Sequence, residues 1–169
     1  MLWLYGIGGI ISIVGISAFF GAPYLPSHRR DIRKLFDALQ LGASDVVLDI
    51  GSGDGVVLRE ASRRGAAAVG YEIHPLFAGI SRVLSRSDSR VSVRLVDAWR
   101  TPFPENVTLV YIFSVGRDGK KVARTVQNEA NRLGRELRLV CYGNALPSKS
   151  VERTIGAYYQ YRFRPLHSV

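Results

Sequence analysis

Apolar positions follow three patterns along this chain. Residues 2–22 carry no charged side chain and are dominated by Leu2, Trp3, Leu4, Ile7, Ile10, Ile11, Ile13, Val14, Ile16, Phe19 and Phe20. Next, Ile32, Leu35, Phe36 and Leu39 recur at helical spacing, with Arg29, Arg30, Arg33 and Lys34 on the opposite face, which predicts an amphipathic helix. Ser27 is placed to cap its start and Gly42 to end it. Beyond Gly42, strand-like runs at 46–50, 68–73, 91–96, 107–113 and 137–142 alternate with helix-like runs at about 56–64, 76–86 and 118–133. Leu76, Ile80, Val83 and Leu84 share one face of the second of these helices, with Pro75 in its first turn, and Val122, Val126, Ala130 and Leu133 share one face of the third. The polar, proline-broken link 96–107 predicts no helix, and the tail 151–164 reads as one or two short strands. This alternation predicts an α/β fold, a mostly parallel sheet with helices on both faces.

The first pattern sets the domain plan. At about 1.5 Å of rise per residue, roughly 20 apolar residues cross the hydrocarbon core of a bilayer. Gly6, Gly8, Gly9 and Gly15 weaken a helix in water but are tolerated in one that spans a membrane, and Trp3 and Tyr5 suit its interface. A cleaved signal peptide begins with a basic region, whereas here the basic cluster (His28, Arg29, Arg30, Arg33, Lys34) follows the apolar run. The reading is therefore a single-pass anchor over residues 1–22 and a domain over 23–169, with Pro23 and Pro26 at the break. By the positive-inside rule the N-terminus lies outside and the domain on the cytoplasmic side.

Composition adds partners to this picture. The chain has 169 residues and a net charge of +9, which points to an anionic neighbour such as lipid headgroups, nucleic acid or an acidic protein face. An ordinary solvated basic surface is the plainer reading. Cys141 is the single cysteine and the 3 histidines show no ligand spacing, so no disulfide within the chain and no metal site is expected.

The densest chemistry lies at 46–55, Val-Val-Leu-Asp-Ile-Gly-Ser-Gly-Asp-Gly. An apolar strand runs into a turn with Gly51, Ser52, Gly53, Asp54 and Gly55, and a helix follows whose N-terminus offers N–H groups to a ligand. In such sheets ligands bind at the carboxyl ends of the strands. A dinucleotide turn has the spacing G-x-G-x-x-G; this one is G-x-G-x-G, flanked by the carboxylates of Asp49 and Asp54, which disfavour a pyrophosphate and favour a cation. The second strand ends at Glu72 and Ile73, where a carboxylate can accept both hydroxyls of a ribose, a feature common to both cofactor classes. The third strand runs out at Asp97, Ala98 and Trp99, an acid for an adenine amino group beside an aromatic ring that can cover the base.

These motifs resemble those of the class I S-adenosylmethionine-dependent methyltransferases, and among them the small membrane-anchored protein lysine methyltransferases. The resemblance rests on Pro23-Tyr24-Leu25-Pro26-Ser27, Val47 to Gly55, Gly70-Tyr71-Glu72-Ile73-His74-Pro75 and Asp97-Ala98-Trp99. It implies a Rossmann-like class I methyltransferase fold. It also implies S-adenosyl-L-methionine as cofactor, held by Asp49, Gly51, Ser52, Gly53, Asp54, Gly55, Glu72, Ile73, Asp97, Ala98 and Trp99. The implied partner is a protein bearing a target lysine, in a membrane or close to one, with an anionic membrane surface alongside. Phe113-Ser114-Val115-Gly116 and the loop 142–147 differ from the family's pattern, and these segments frame the acceptor.

Methyl transfer to an amine mainly requires positioning. A lysine amine, with an ordinary pKa of about 10.4, must be neutral to attack, and burial beside a cation lowers that value. No general base is evident; Tyr24, Phe113, Ser114 and Tyr142 are the candidates for shaping the acceptor pocket. Nucleic acid is disfavoured as acceptor, because Ser114-Val115-Gly116 lacks the Asp/Asn-Pro-Pro-aromatic run of base-amine methyltransferases. The alternatives are a lipid-soluble small molecule or RNA as acceptor, a membrane module that binds the cofactor without turnover, and a nicotinamide dehydrogenase, which the glycine spacing disfavours.

Overall fold

The structure is a computed structural model, and it describes residues 28–114, 118–147 and 149–166. The expected anchor 1–22, its Pro23 and Pro26 break, the Ser27 cap and Tyr24 lie outside these residues. Among the described residues no helix is long and apolar enough to cross a membrane.

The elements follow the order α1 (Arg29–Ala38), β1 (Val46–Ile50), α2 (Val56–Ser62), β2 (Ala67–Glu72), α3 (Pro75–Leu84), β3 (Val91–Leu95), β4 (Leu109–Ser114), α4 (Gly119–Leu133), β5 (Leu137–Gly143), β6 (Arg153–Ile155) and β7 (Tyr158–Phe163). They build one sheet in the order β3-β2-β1-β4-β5-β7-β6. The pairs β1–β2, β1–β4, β2–β3 and β4–β5 are parallel, while β7 is antiparallel to both β5 and β6. The strand order reverses at β1, so the crevice expected of such sheets opens at the carboxyl ends of β1 and β4. Both strands expected in the tail are present, as a hairpin on β5.

Alternation along the strands divides the core in two. Leu48, Ile50, Val110, Ile112, Leu139 and Cys141 meet Val122, Val126 and Ala130 of α4. On the other face Val47, Leu109, Tyr111 and Val140 meet Ile32, Leu35 and Phe36 of α1 and Val57, Leu58 and Ala61 of α2. The link from β3 to β4 holds no helix, as expected. Buried Phe103 pins it, with its N–H donating to Glu129 (2.9 Å) and its carbonyl accepting from Arg132 (2.7 Å).

Three expectations are corrected. Gly42 does not close α1: the helix ends at Ala38, and Gln40 takes the left-handed conformation (φ 52°). Leu41 then donates to the Phe36 carbonyl and Gln40 to that of Asp37, the pattern usually supplied by glycine. The basic face of α1 is partly engaged within the protein, because Arg33 turns to the buried Glu60 of α2 at 3.1 Å. The apolar face of α3 does not join the core; Leu76, Ile80, Val83 and Leu84 are all exposed, and α3 buries the small residues Ala78 and Ser81 instead.

Gly70 lets the turn after β1 lie against β2. A Cβ there would stand 2.5 Å from Ser52 Oγ and 2.7 Å from Leu58 Cδ1. Gly70→Ala is therefore expected to lower stability by about 1–3 kcal/mol and to push the turn off β2, which thermal melting and cofactor titration of the variant would check.

Candidate active site

All three glycines of the turn stand in the left-handed region, Gly51 at φ 76°, Gly53 at 54° and Gly55 at 81°. Side chains rarely adopt that conformation, which accounts for glycine at every second position. Gly55 has a further reason: a Cβ would fall 2.1 Å from Ser81 Oγ of α3. Beside Gly51 the space is open, so the backbone there is bare to a ligand.

The turn's N–H groups are largely used by the protein. Gly51 and Ser52 donate to the Tyr71 carbonyl (2.8 and 3.2 Å) and Gly55 to that of Ser52 (2.8 Å). Gly53 donates to Glu72 Oε2 (2.8 Å) and Val56 to Asp54 Oδ1 (3.1 Å). At the start of α2 itself, Val56 N–H is taken by Asp54 and Arg59 N–H by the Gly55 carbonyl. Within the protein Asp54 accepts from the first N–H of α2 and stands 3.6 Å from Arg59. A phosphate cradle needs free backbone donors, and here five N–H groups of residues 51–56 are already spent.

Glu72 is buried and held at both oxygens, Oε2 by Gly53 N–H and Oε1 by His74 N–H (2.8 Å). A carboxylate has about four acceptor sites, so each oxygen keeps one for an adjacent pair of hydroxyls. Ile73 follows it in the open, 59% exposed. Asp97 lies just past β3, where the ladder continues through Val96 N–H to the Glu72 carbonyl (2.9 Å). Its Oδ1 accepts from Trp99 N–H at 2.9 Å, and Arg100 stands 3.6 Å from Oδ2. Ala98 is buried, and Trp99 packs against the core with Lys121 Nζ 4.3 Å above its ring.

Asp49 is the anomaly of the site. It is 3% exposed, and no side chain among the described residues gives it a hydrogen bond or an ion pair. Burial raises its pKa well above the usual carboxylate range, and the charges of Glu72 and Asp54 raise it further. Ser52 Oγ, His74 Nδ1 and Ser81 Oγ, around the same turn, are buried without a hydrogen-bond partner among the described residues.

Across the switch point an aromatic row continues the site. Register places Phe113 opposite Tyr142 and Tyr142 opposite Tyr158. The Phe113 and Tyr142 rings lie 5.0 Å apart, as do those of Tyr142 and Tyr158, and Tyr111 lies 6.3 Å from Tyr158. Of the expected pocket residues, the fold thus unites Phe113 and Tyr142, ends β4 at Ser114 opposite Gly143, and leaves Tyr24 outside the described residues. Tyr111 and Tyr158 were not expected. The signal for Tyr158 was its run of tyrosines in the tail, readable only once β7 is known to return antiparallel along β5. Burial pushes the Tyr158 phenol up to about 12, so it stays protonated at neutral pH.

Sheet order, the antiparallel β7 and an acid-flanked glycine turn at the switch point define a cofactor-dependent α/β transferase domain. A methyltransferase domain model matches residues 48–136, and the chain belongs to that family, the class I methyltransferases. The ATP synthase c-subunit lysine N-methyltransferase of Homo sapiens is 30% identical over 115 residues, covering 64% of this chain and 48% of that protein. Its Xenopus laevis counterpart is 28% identical over 110 residues, covering 63% of this chain and 48% of that protein. The chain thus spans about half the length of these curated relatives. An RNA methyltransferase from Salinibacter ruber, solved with S-adenosyl-L-homocysteine, superposes with a TM-score of 0.73 at 20% identity, over 86% of this chain and 96% of that one. At that identity it supports the fold.

The raised pKa of Asp49 sets a pH dependence with a definite sign. With the folded value above the unfolded one, the stability this carboxyl contributes is greatest below about pH 4 and is lost as pH rises toward the folded value. Asp49→Asn is expected to unfold less readily than the wild type at neutral pH, by about 1–3 kcal/mol. The difference should close as pH falls toward about 4, which melting curves at a series of pH values would check.

Proposed function

We propose that this chain is a membrane-tethered S-adenosylmethionine-dependent protein-lysine N-methyltransferase. The observation that carries the cofactor is the turn itself, which has few backbone donors left for phosphate and a buried carboxylate, Asp49, with no cation beside it among the described residues. S-adenosylmethionine fits that donor set because it bears a sulfonium and an ammonium and no phosphate. Glu72 would hold its ribose, Asp97 its adenine, and Asp49 with the backbone of Gly51 and Gly53 its positively charged end. When bound, it supplies a methyl group on sulfur that is open to attack by a neutral amine.

The protein's part is binding, orientation and exclusion of water. Phe113 and Tyr142 offer ring faces that attract an incoming ammonium, and the buried Tyr158 behind them adds to an apolar setting that favours its neutral form. No base is assigned among the described residues; Tyr158, with its phenol near 12, is a poor proton acceptor at neutral pH. Lysine as acceptor is supported by the curated relatives named above and by this aromatic row. The tether is supported by the uncharged run 2–22 and the basic cluster behind it, a pattern that fits a domain on the cytoplasmic side of a membrane.

Two experiments test this. Membranes containing the full chain, supplied with methyl-labelled S-adenosylmethionine, are expected to carry label on lysine in a protein band. Glu72→Ala should abolish the label while the chain stays in the membrane fraction. Label in RNA or lipid instead would overturn the acceptor, and cofactor binding without label anywhere would leave a binding module. Within the acceptor row, Tyr142→Ala should raise the KM for the acceptor by at least about tenfold, a loss near 1.4 kcal/mol. Calorimetric affinity for the cofactor should stay unchanged.

A further inference from the structure

The apolar face of α3 is left exposed by the described residues. Val83 is 60% exposed, Leu84 53%, Leu76 44% and Ile80 36%. Ile73 just before the helix and Leu95 at the end of the edge strand β3 extend the patch at 59% and 45%. Scattered single apolar residues on a surface are ordinary, but a contiguous helix face is not. The rim has one sign: between residues 73 and 100 the chain carries Arg82, Arg86, Arg90, Arg94 and Arg100, all exposed, against Asp88 and Asp97. An exposed apolar stripe bordered by arginines matches a helix lying in the headgroup region of an anionic bilayer.

The path of the chain brings this flank to such a surface. The start of α1 lies at the carboxyl pole of the sheet, where Asp31 acts on the Tyr158 hydroxyl and Arg29 on Arg59. Its end lies at the opposite pole, where Arg153 donates to the Ala38 carbonyl. Ile73, Leu76 and Leu95 sit at the first of these poles, because β2 and β3 end there. Residues 23–28, which join the apolar run to α1, reach at most about 22 Å. A domain held that close meets the bilayer at a high effective concentration, so a modest apolar contact suffices.

We propose that the α3 flank is a second membrane contact, docking on anionic lipid with the helix along the bilayer surface, so that the cofactor pole opens beside that surface. The inference rests on the tether reading for the nearness of the bilayer, and the test separates the two. The full chain, carrying a nitroxide at Val83→Cys or at the control Asn128→Cys on α4, is reconstituted in nanodiscs containing phosphatidylserine. Cys141 is buried and its thiol is pushed up to about 12, so it does not take the label. The expected result is a ratio of oxygen to aqueous-nickel accessibility several-fold higher at position 83 than at position 128. An aqueous signal at 83 in a disc-bound chain overturns the proposal and leaves the tether standing. Loss of both accessibilities with dipolar broadening overturns it in favour of a second copy of the chain. A chain that does not enter the discs overturns the tether; the same label is then read with anionic vesicles added, where an oxygen-accessible signal supports the flank and an aqueous one overturns it.

Discussion

A carboxylate with no cation beside it among the described residues stands at the centre of the sheet, and much of the molecule is arranged around it. Asp49 stands one residue before the end of β1, between Gly70 on β2 and Tyr111 on β4, buried, with two further carboxylates near it. Leaving a charge there without a partner costs several kcal/mol, and no side chain among the described residues offsets that cost. The glycine turn opens bare backbone beside it, and Gly70 has no side chain, so that turn can rest on β2. Glu72 fastens the turn from below through Gly53 N–H. The electrostatic need and the steric clearance coincide at one point, and both suit a cationic ligand rather than a phosphorylated one.

The parts of this arrangement that local chemistry dictates were legible in the sequence. Asp49 and the glycines at alternate positions read as a turn needing left-handed backbone, and three such conformations are present. The strand-like runs lie within about two residues of the observed strands, because buried parallel strands leave continuous apolar runs. Other features depend on which surfaces meet. Asp54 reads as a ligand to a cofactor, yet within the protein it accepts from the first N–H of α2. Gln40 closes α1 in a conformation that favours glycine, so Gly42 was the stronger signal and the wrong one. The stripe of Leu76, Ile80, Val83 and Leu84 has the same period as that of Val122, Val126 and Ala130 on α4; periodicity reports a face and not what covers it. The aromatic row needs register between β4, β5 and β7, which no single stretch of sequence contains.

Position decides what those separate features do together. The entry of α1, the turn, Glu72, the ends of β2 and β3 and the row from Phe113 to Tyr158 all lie at the carboxyl pole of the sheet. At the other pole Arg138 binds Asp45, and Arg162 binds Glu136 and Glu152, so its charge is spent on holding the sheet together. Around α3 the arginines outnumber the acids, beside apolar side chains that the core does not use. A domain meeting an acceptor free in solution gains nothing from such a flank and risks aggregation through it. A domain whose acceptor lies at a bilayer gains orientation from it, since a tether fixes distance and leaves rotation free. One further contact beside the site removes that rotation and holds the opening of the site next to the surface where a membrane-borne lysine would be presented.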